Sequence, residues 1–405
     1  MNILFLTIAR MHNLKERGIY TDLFRKFVEK GHGVYIASPA ERMMREKTNL
    51  KKYDGYSVLR VKVGNFQKTN MIEKGISTLF IETHFLAAIK KYYSDIKFDA
   101  VVYATPPMTY PNVVDFIKKR DGAKIYLLLK DIFPQNAVDI GLFTEKSLIY
   151  KYFRKKEIRV YKQSDSIGCM SQANVDFLLE HNDFIDKSIV HICPNCIEYT
   201  KPEKVDKAEI RKKYNIPAEA TVFIYGGNLG KPQCIPFIID LIKANYGKKD
   251  RFFVISGTGT EAHKLRSFYE NEKPENLLLT DWLQQDEYDR LIAACDVGML
   301  FLDHRFTIPN IPSRILTYMR HALPVFAATD VNTDMGKIIS DGDFGWWCES
   351  KNAEKATEYL DKICEQDLTE KGKNSLKFLL ENYTTDIGYE CIMENLKSTI
   401  NDLEK

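Results

Sequence analysis

The chain has 405 residues, 44% of them hydrophobic and 28% charged, with a formal net charge of +3. That length exceeds what one core usually organises, and the composition excludes a disordered or fibrous chain. The small charge excess gives no ground for nucleic-acid binding, and eight scattered cysteines form no disulfide framework, which points to a reducing cytosol.

In chain order, residues 3–8 are a continuous apolar run, the pattern of a strand buried on both faces of a parallel sheet. Arg10 cuts the run short of a signal-peptide core, and no apolar stretch reaches membrane-spanning length. Residues 20–29 carry Leu23, Phe24, Phe27 and Val28 at helical spacing; Gly31 and Gly33 end that helix, and 34–37 is the next strand. Further strands are predicted at 58–63, 100–103, 125–129 and 190–192, with a long helix over 71–93. The charged, turn-rich stretch 202–217 predicts a linker. Strands recur at 221–225, 252–255, 277–279, 297–301 and 325–327, and the chain is helical and polar from 382 on. This alternation predicts an α/β protein of two Rossmann-like, doubly wound domains facing a central cleft. The domains are 1–198 and 199–382, with a last helix, 383–405, rejoining the first.

Ligands of open α/β sheets bind at the carboxyl ends of strands, and the candidate sites fall there. In 309–319 a Pro-containing turn enters an amphipathic helix, placing Ser313 as N-cap and Arg314 one residue later. Free helix N–H groups, a hydroxyl and a guanidinium at one spot suit a diphosphate. Gly226, Gly227, Asn228, Gly230 and Lys231 make a cationic, glycine-rich strand end, and Gly257 and Gly259 end the next strand. Each of these also reads as a plain tight turn. In the first domain a polar loop, 9–17, leads to Gly18, which lets the backbone approach a ligand. Asp131 ends the 125–129 strand, where it either binds a sugar hydroxyl or accepts a proton, or else caps the next helix. Stretches 71–93 and 151–159 interleave aromatics with cations, as helices lying on an anionic membrane do, though a solvated helix face shows the same charge run. Cys193 and Cys196 form the one C-x-x-C, in a turn after a strand, and no second pair or histidine cluster completes a zinc site.

An ordered series of motifs then resembles a known family over essentially the whole chain. Gly18 and the helix ending Gly31-His32-Gly33-Val34 resemble its β-loop-α opening, Thr105-Pro106-Pro107 its "SPP", and Asp131-Ile132-Phe133-Pro134 its "DLWP". Residues 165–171 resemble "AD-x-(I/V)-x-x-x-S", and Pro194-Asn195-Cys196-Ile197 resembles "PNG(V/I)" with Cys for Gly. Gly227-Asn228-Leu229-Gly230 resembles "GN-x-G", Pro312-Ser313-Arg314 "PSK", and Leu323-Pro324-Val325 "G-x-PV" without its Gly. The chain thus resembles the retaining GT-B glycosyltransferases of family 4, in particular the N-acetylfucosamine-transferase type of bacterial O-antigen and capsule synthesis.

The resemblance implies transfer of an N-acetylated sugar from a UDP-sugar to a lipid-linked saccharide, without metal or other cofactor, at the cytoplasmic face of an anionic membrane. It implies Asp131, Arg314 and Lys231 as catalytic residues. The donor-binding set is Gly18, Gly227, Asn228, Gly230, Gly257, Gly259, Leu283, Asn310, Pro312, Ser313 and Thr317. The wider family carries a Glu-x7-Glu pair whose second member holds the ribose; here Pro309 and Thr317 stand at those places, and Asp303 is the nearest carboxylate. That departure leaves open a degenerate GT-B subunit that partners another transferase; a different enzyme on the same fold, a nucleotide-sugar 2-epimerase, is the other alternative.

Overall fold

The computed structural model describes residues 1–66, 71–106 and 108–401. Pro107 of the Thr105-Pro106-Pro107 motif and the last four residues of the expected tail helix lie outside them. The chain forms two compact units, Met1–Glu198 together with the segment from Thr384 on, and Tyr199–Tyr383.

The first unit runs β1 (Asn2–Leu6), α1 (Ile19–Glu29), β2 (Gly33–Glu41), β3 (Asn49–Lys52), β4 (Tyr56–Val63), α2 (Met71–Tyr92), β5 (Ala100–Ala104) and α3 (Pro111–Asp121). It continues with β6 (Lys124–Leu129), α4 (Gln135–Asp139), α5 (Leu148–Gln163), β7 (Ser166–Cys169), α6 (Gln172–Glu180) and β8 (Val190–Ile192). The sheet order is β3-β4-β2-β1-β5-β6-β7-β8, parallel except for the β3–β4 pair. Winding reverses between β1 and β5, so the crevice that such sheets offer lies at the carboxyl ends of those strands.

Helix α1 forms because Leu23, Phe24 and Phe27 share one buried face. Phe24 packs on Phe5 of β1, ring centroids 4.1 Å apart. Burial of each such side chain contributes about 1.5–3 kcal/mol. Gly31, at φ 82, ends the helix where a side chain would be strained.

The second unit runs α7 (Lys207–Lys213), β9 (Thr221–Asn228), α8 (Ile235–Ala244), β10 (Arg251–Thr258), α9 (Ala262–Glu272), β11 (Leu277–Thr280), α10 (Gln285–Ala293) and β12 (Val297–Phe301). Then come α11 (Arg314–Arg320), β13 (Val325–Thr329), α12 (Met335–Asp341), β14 (Gly345–Glu349), α13 (Ala353–Cys364) and α14 (Thr369–Asn382). Its all-parallel order is β11-β10-β9-β12-β13-β14, reversing between β9 and β12. Phe223, Ile255, Met299 and Phe326 are among the fully buried side chains of its core.

The predicted linker 202–217 is not one. The Asp206 carboxylate accepts the N–H groups of Ala208 and Glu209, capping α7, and Arg211 is buried on Asp296 and on the carbonyls of Ala218, Ala220 and Ala294. A charged stretch that reads as solvated is therefore folded into the second unit.

Helix α15 (Thr385–Asn401) packs on the first unit. The Tyr389 ring meets Phe27 at 4.9 Å, and its hydroxyl lies 2.9 Å from His32 Nε2. Ile197 and Thr384 pair as a parallel bridge, and Thr385 N–H donates to the Ile197 carbonyl at 3.1 Å.

Candidate functional site

Strand β9 follows β10 along its whole length, to Gly227 opposite Gly257 and Asn228 opposite Thr258. It pairs with β12 only at Phe223 and Ile224. The sheet is thus split at the point where its winding reverses. The Tyr318 ring fills the base of the split: a Cβ on Gly298 of β12 would strike it, and Gly226 N–H points to its hydroxyl at 3.4 Å.

Arg314 lies above Tyr318. Its guanidinium is 4.7 Å from the centroid of Tyr225 and rests on Gly227, where a Cβ would collide with it. Tyr288 completes the surround, with its hydroxyl against Gly226 and its phenol pushed up to about 12 by burial. Among the described residues no hydrogen bond or ion pair to Arg314 is found, and the Tyr288 hydroxyl is buried without a hydrogen-bond partner. A partly buried cation among three tyrosines, with no carboxylate partner among the described residues, is chemically able to take an anion from outside the chain.

The loop after β9 is held by Gln233. Its side-chain oxygen accepts Gly230 N–H at 3.1 Å and the Asn228 amide at 2.8 Å. The Asn228 side chain, expected to face a donor, is thereby engaged in its own loop. Lys231 is exposed beside it. Gly257 and Gly259 are required by packing: a Cβ on either would strike the carbonyl of Gly227 or of Leu229. The plain-turn reading accounts for both.

The expected Ser313 cap does not form. Its hydroxyl makes no capping bond, because Ser313 already has helical φ and ψ and its carbonyl accepts Leu316 N–H in the first turn. Asn310 contributes its carbonyl to Thr333 Oγ1 at 2.7 Å, and Pro312 is half-buried in the same turn. Thr317, one turn beyond Arg314, is half-buried. Leu283 lies in the loop after β11, two strands from β9 in the sheet. Asp303, the carboxylate nearest to the missing glutamate, is turned to Arg305. Arg305 grips both its oxygens, at 2.9 and 2.7 Å; burial pushes its pKa up, and these hydrogen bonds outweigh that and hold it below the usual carboxylate range.

In the first unit, Gly18 starts α1 with an extended backbone, its N–H on Asp22 Oδ1 at 3.2 Å. Asp131 caps no helix, since Pro134 stands at the N-cap of α4. Its Oδ2 accepts the Asn136 amide at 2.7 Å, and its buried Oδ1 has no partner among the described residues. Burial pushes this carboxyl up to about 6, the range of a group that exchanges a proton near neutral pH.

The basic stretch 151–159 is less cationic than its composition. Arg154 pairs with Glu157, Lys156 with Glu82 and Arg159 with Asp115. Lys151 and Lys155 remain exposed beside Leu148, which is 84% exposed, Ile149 and Tyr152. Helix α2 exposes Ile76, Leu79 and Phe80. Among the described residues no helix is long and apolar enough to cross a membrane.

Sequence reasoning missed Tyr225, Tyr288, Tyr318 and Gln233. The four-residue spacing of Arg314 and Tyr318 is the one local signal that could have found any of them. It also missed that Cys234, Asp303 and His304 meet in space.

Residues 206–377 match the family described as Glycosyl transferases group 1. The chain is 25% identical over 326 residues, 80% of each protein, to a probable glycosyltransferase, WbjE, of Pseudomonas aeruginosa. Its fold is similar to that of HepE of Anabaena in complex with UDP, with a TM-score of 0.68 at 13% identity, covering 98% of this chain and 100% of that one. It is also similar to WaaG, a glycosyltransferase involved in lipopolysaccharide biosynthesis, with a TM-score of 0.67 at 12% identity over 96% and 98% of the two chains. The chain therefore has the GT-B fold, and its second unit carries a region that matches the Glycosyl transferases group 1 family.

Proposed function

We propose that the chain moves an N-acetylated sugar, with retention, from a UDP-sugar to a lipid-linked saccharide in capsule or O-antigen-type polysaccharide synthesis. The observation that carries this reading is the Arg314 guanidinium, set on Gly227 at the split between β9 and β12 with no anion of its own. Developing charge on a departing diphosphate is met by Arg314 and by Lys231 from the neighbouring loop, so no metal is needed on the diphosphate. Asp131 takes the acceptor proton. The donor binds the second unit and the acceptor the first. The UDP-bound HepE supports the donor class, and the WaaG fold supports the pathway class. The N-acetyl group rests on the resemblance of the motifs.

The exposed apolar residues of α2 and α5, with Lys151 and Lys155, suit peripheral contact with an anionic bilayer at the inner face of the plasma membrane, where a lipid-linked acceptor resides. Calorimetric titration with UDP, followed by product analysis with a panel of UDP-sugars and membrane extracts, tests the proposal. A chain that binds no UDP, or whose Arg314→Ala variant binds it equally well, does not work this way.

A further inference from the structure

One group of chemically reactive side chains in the second unit is left unused by this mechanism. Cys234, Asp303 and His304 bring a sulfur, a carboxylate oxygen and a ring nitrogen within 4.8 Å of one another. They come from two loops. Cys234 follows the short helical turn Lys231–Gln233 and stands at the N-cap of α8 in left-handed conformation, φ 48. Asp303 and His304 follow β12. The loops already touch, with Asp303 N–H donating to the Pro232 carbonyl at 2.9 Å.

His304 Nδ1 is buried and has no hydrogen-bond partner among the described residues, 3.7 Å from Asp303 Oδ1. Imidazole nitrogens withdrawn from water normally find a partner, so a bare one facing a carboxylate and a thiol calls for a ligand. Both Asp303 oxygens already face a cation, accepting from Arg305 at 2.9 and 2.7 Å. The donor set selects the metal class. Thiolate and imidazole exclude calcium and magnesium and suit zinc and its neighbours. Zinc bonds of about 2.0–2.3 Å place tetrahedral ligand atoms roughly 3.3–3.7 Å apart, so closing the present spacing takes about 1 Å of side-chain movement.

We propose that Cys234, Asp303 and His304 form a site for a zinc-class divalent cation that clips the Lys231 turn to the loop after β12. On binding, the Cys234 S–H bond breaks, its proton passes to solvent, and a sulfur–metal bond forms without change of oxidation state. The ion shares Asp303 with Arg305, and water takes the fourth position.

Cobalt(II), titrated into the full chain with its thiols kept reduced, is the probe. A thiolate-to-cobalt charge-transfer band that saturates at one equivalent, is displaced by zinc, and is absent from Cys234→Ser and from His304→Gln is the expected result. No band in the natural chain, or a band that survives in either variant, overturns the site. If Cys234→Ser does not fold, melting decides: zinc must raise the Tm of the natural chain and leave that of His304→Gln unchanged.

Discussion

The guanidinium of Arg314 occupies the space that a side chain on Gly227 would fill. The two residues lie 87 positions apart and meet because β9 and β12 are neighbours that part after a short pairing. Gly227→Ala should therefore displace Arg314, and its φ of 131 adds strain for any residue but glycine. Loss of a charge-assisted bond of about 1.5–3 kcal/mol corresponds to a rise in the Kd for UDP of roughly ten- to a hundredfold. Calorimetry of Gly227→Ala, Arg314→Ala and the double variant checks this. The two losses should not add, since both remove one contact.

Asp131 should set a pH limb. With its carboxyl at about 6, kcat/KM should rise as pH increases through that value and level off above it. Asp131→Asn should lose the limb and about a hundredfold in kcat, with UDP affinity unchanged. The stability effect has the opposite sign. The folded chain binds this proton more tightly than the unfolded one, whose pKa is near 3.8, so stability falls between about pH 4 and 6 and stays low above. Chemical denaturation at pH 7.5 should find Asp131→Asn more stable, by on the order of 2–3 kcal/mol.

Thr317 stands where relatives of the wider family hold the ribose with a carboxylate. If its hydroxyl serves that purpose, Thr317→Val raises the Kd for UDP about two- to tenfold, the worth of one neutral hydrogen bond. UDP affinity that does not change would remove Thr317 from the site.

Leu148 is 84% exposed, so Leu148→Glu costs the fold little. Combined with Ile149→Glu it should lower co-sedimentation with anionic vesicles about tenfold, while soluble-donor binding stays as it was. Binding by the natural chain should weaken as salt rises, because Lys151 and Lys155 contribute.

The fold was legible because its signals are local. Residues 125–129 and 190–192 are strands as written, and the face of Leu23, Phe24 and Phe27 predicts α1 directly. Strands β3, β7 and β14 escaped: β3 is four residues with two exposed lysines, β7 only Ser-Ile-Gly-Cys, and β14 an edge strand that exposes Trp346 and Trp347 in part. The site was half legible. Arg314 and the glycine loop announce themselves by residue type, but the tyrosines around them are set by how three separate strands and helices converge. Ser313 misled because an N-cap is a matter of backbone angles, and the helix begins one residue too early for it to act as one.

The pairing of Ile197 with Thr384 fixes the points where the chain leaves the first unit and returns to it. Topologically, residues 199–383 are an insertion whose two ends are already held side by side. Exchanging that cassette for one from a relative requires two cuts at a single rung and carries little loop-closure entropy. The architecture thus allows one half of the protein to be replaced in evolution, or at the bench, while the host half stays whole.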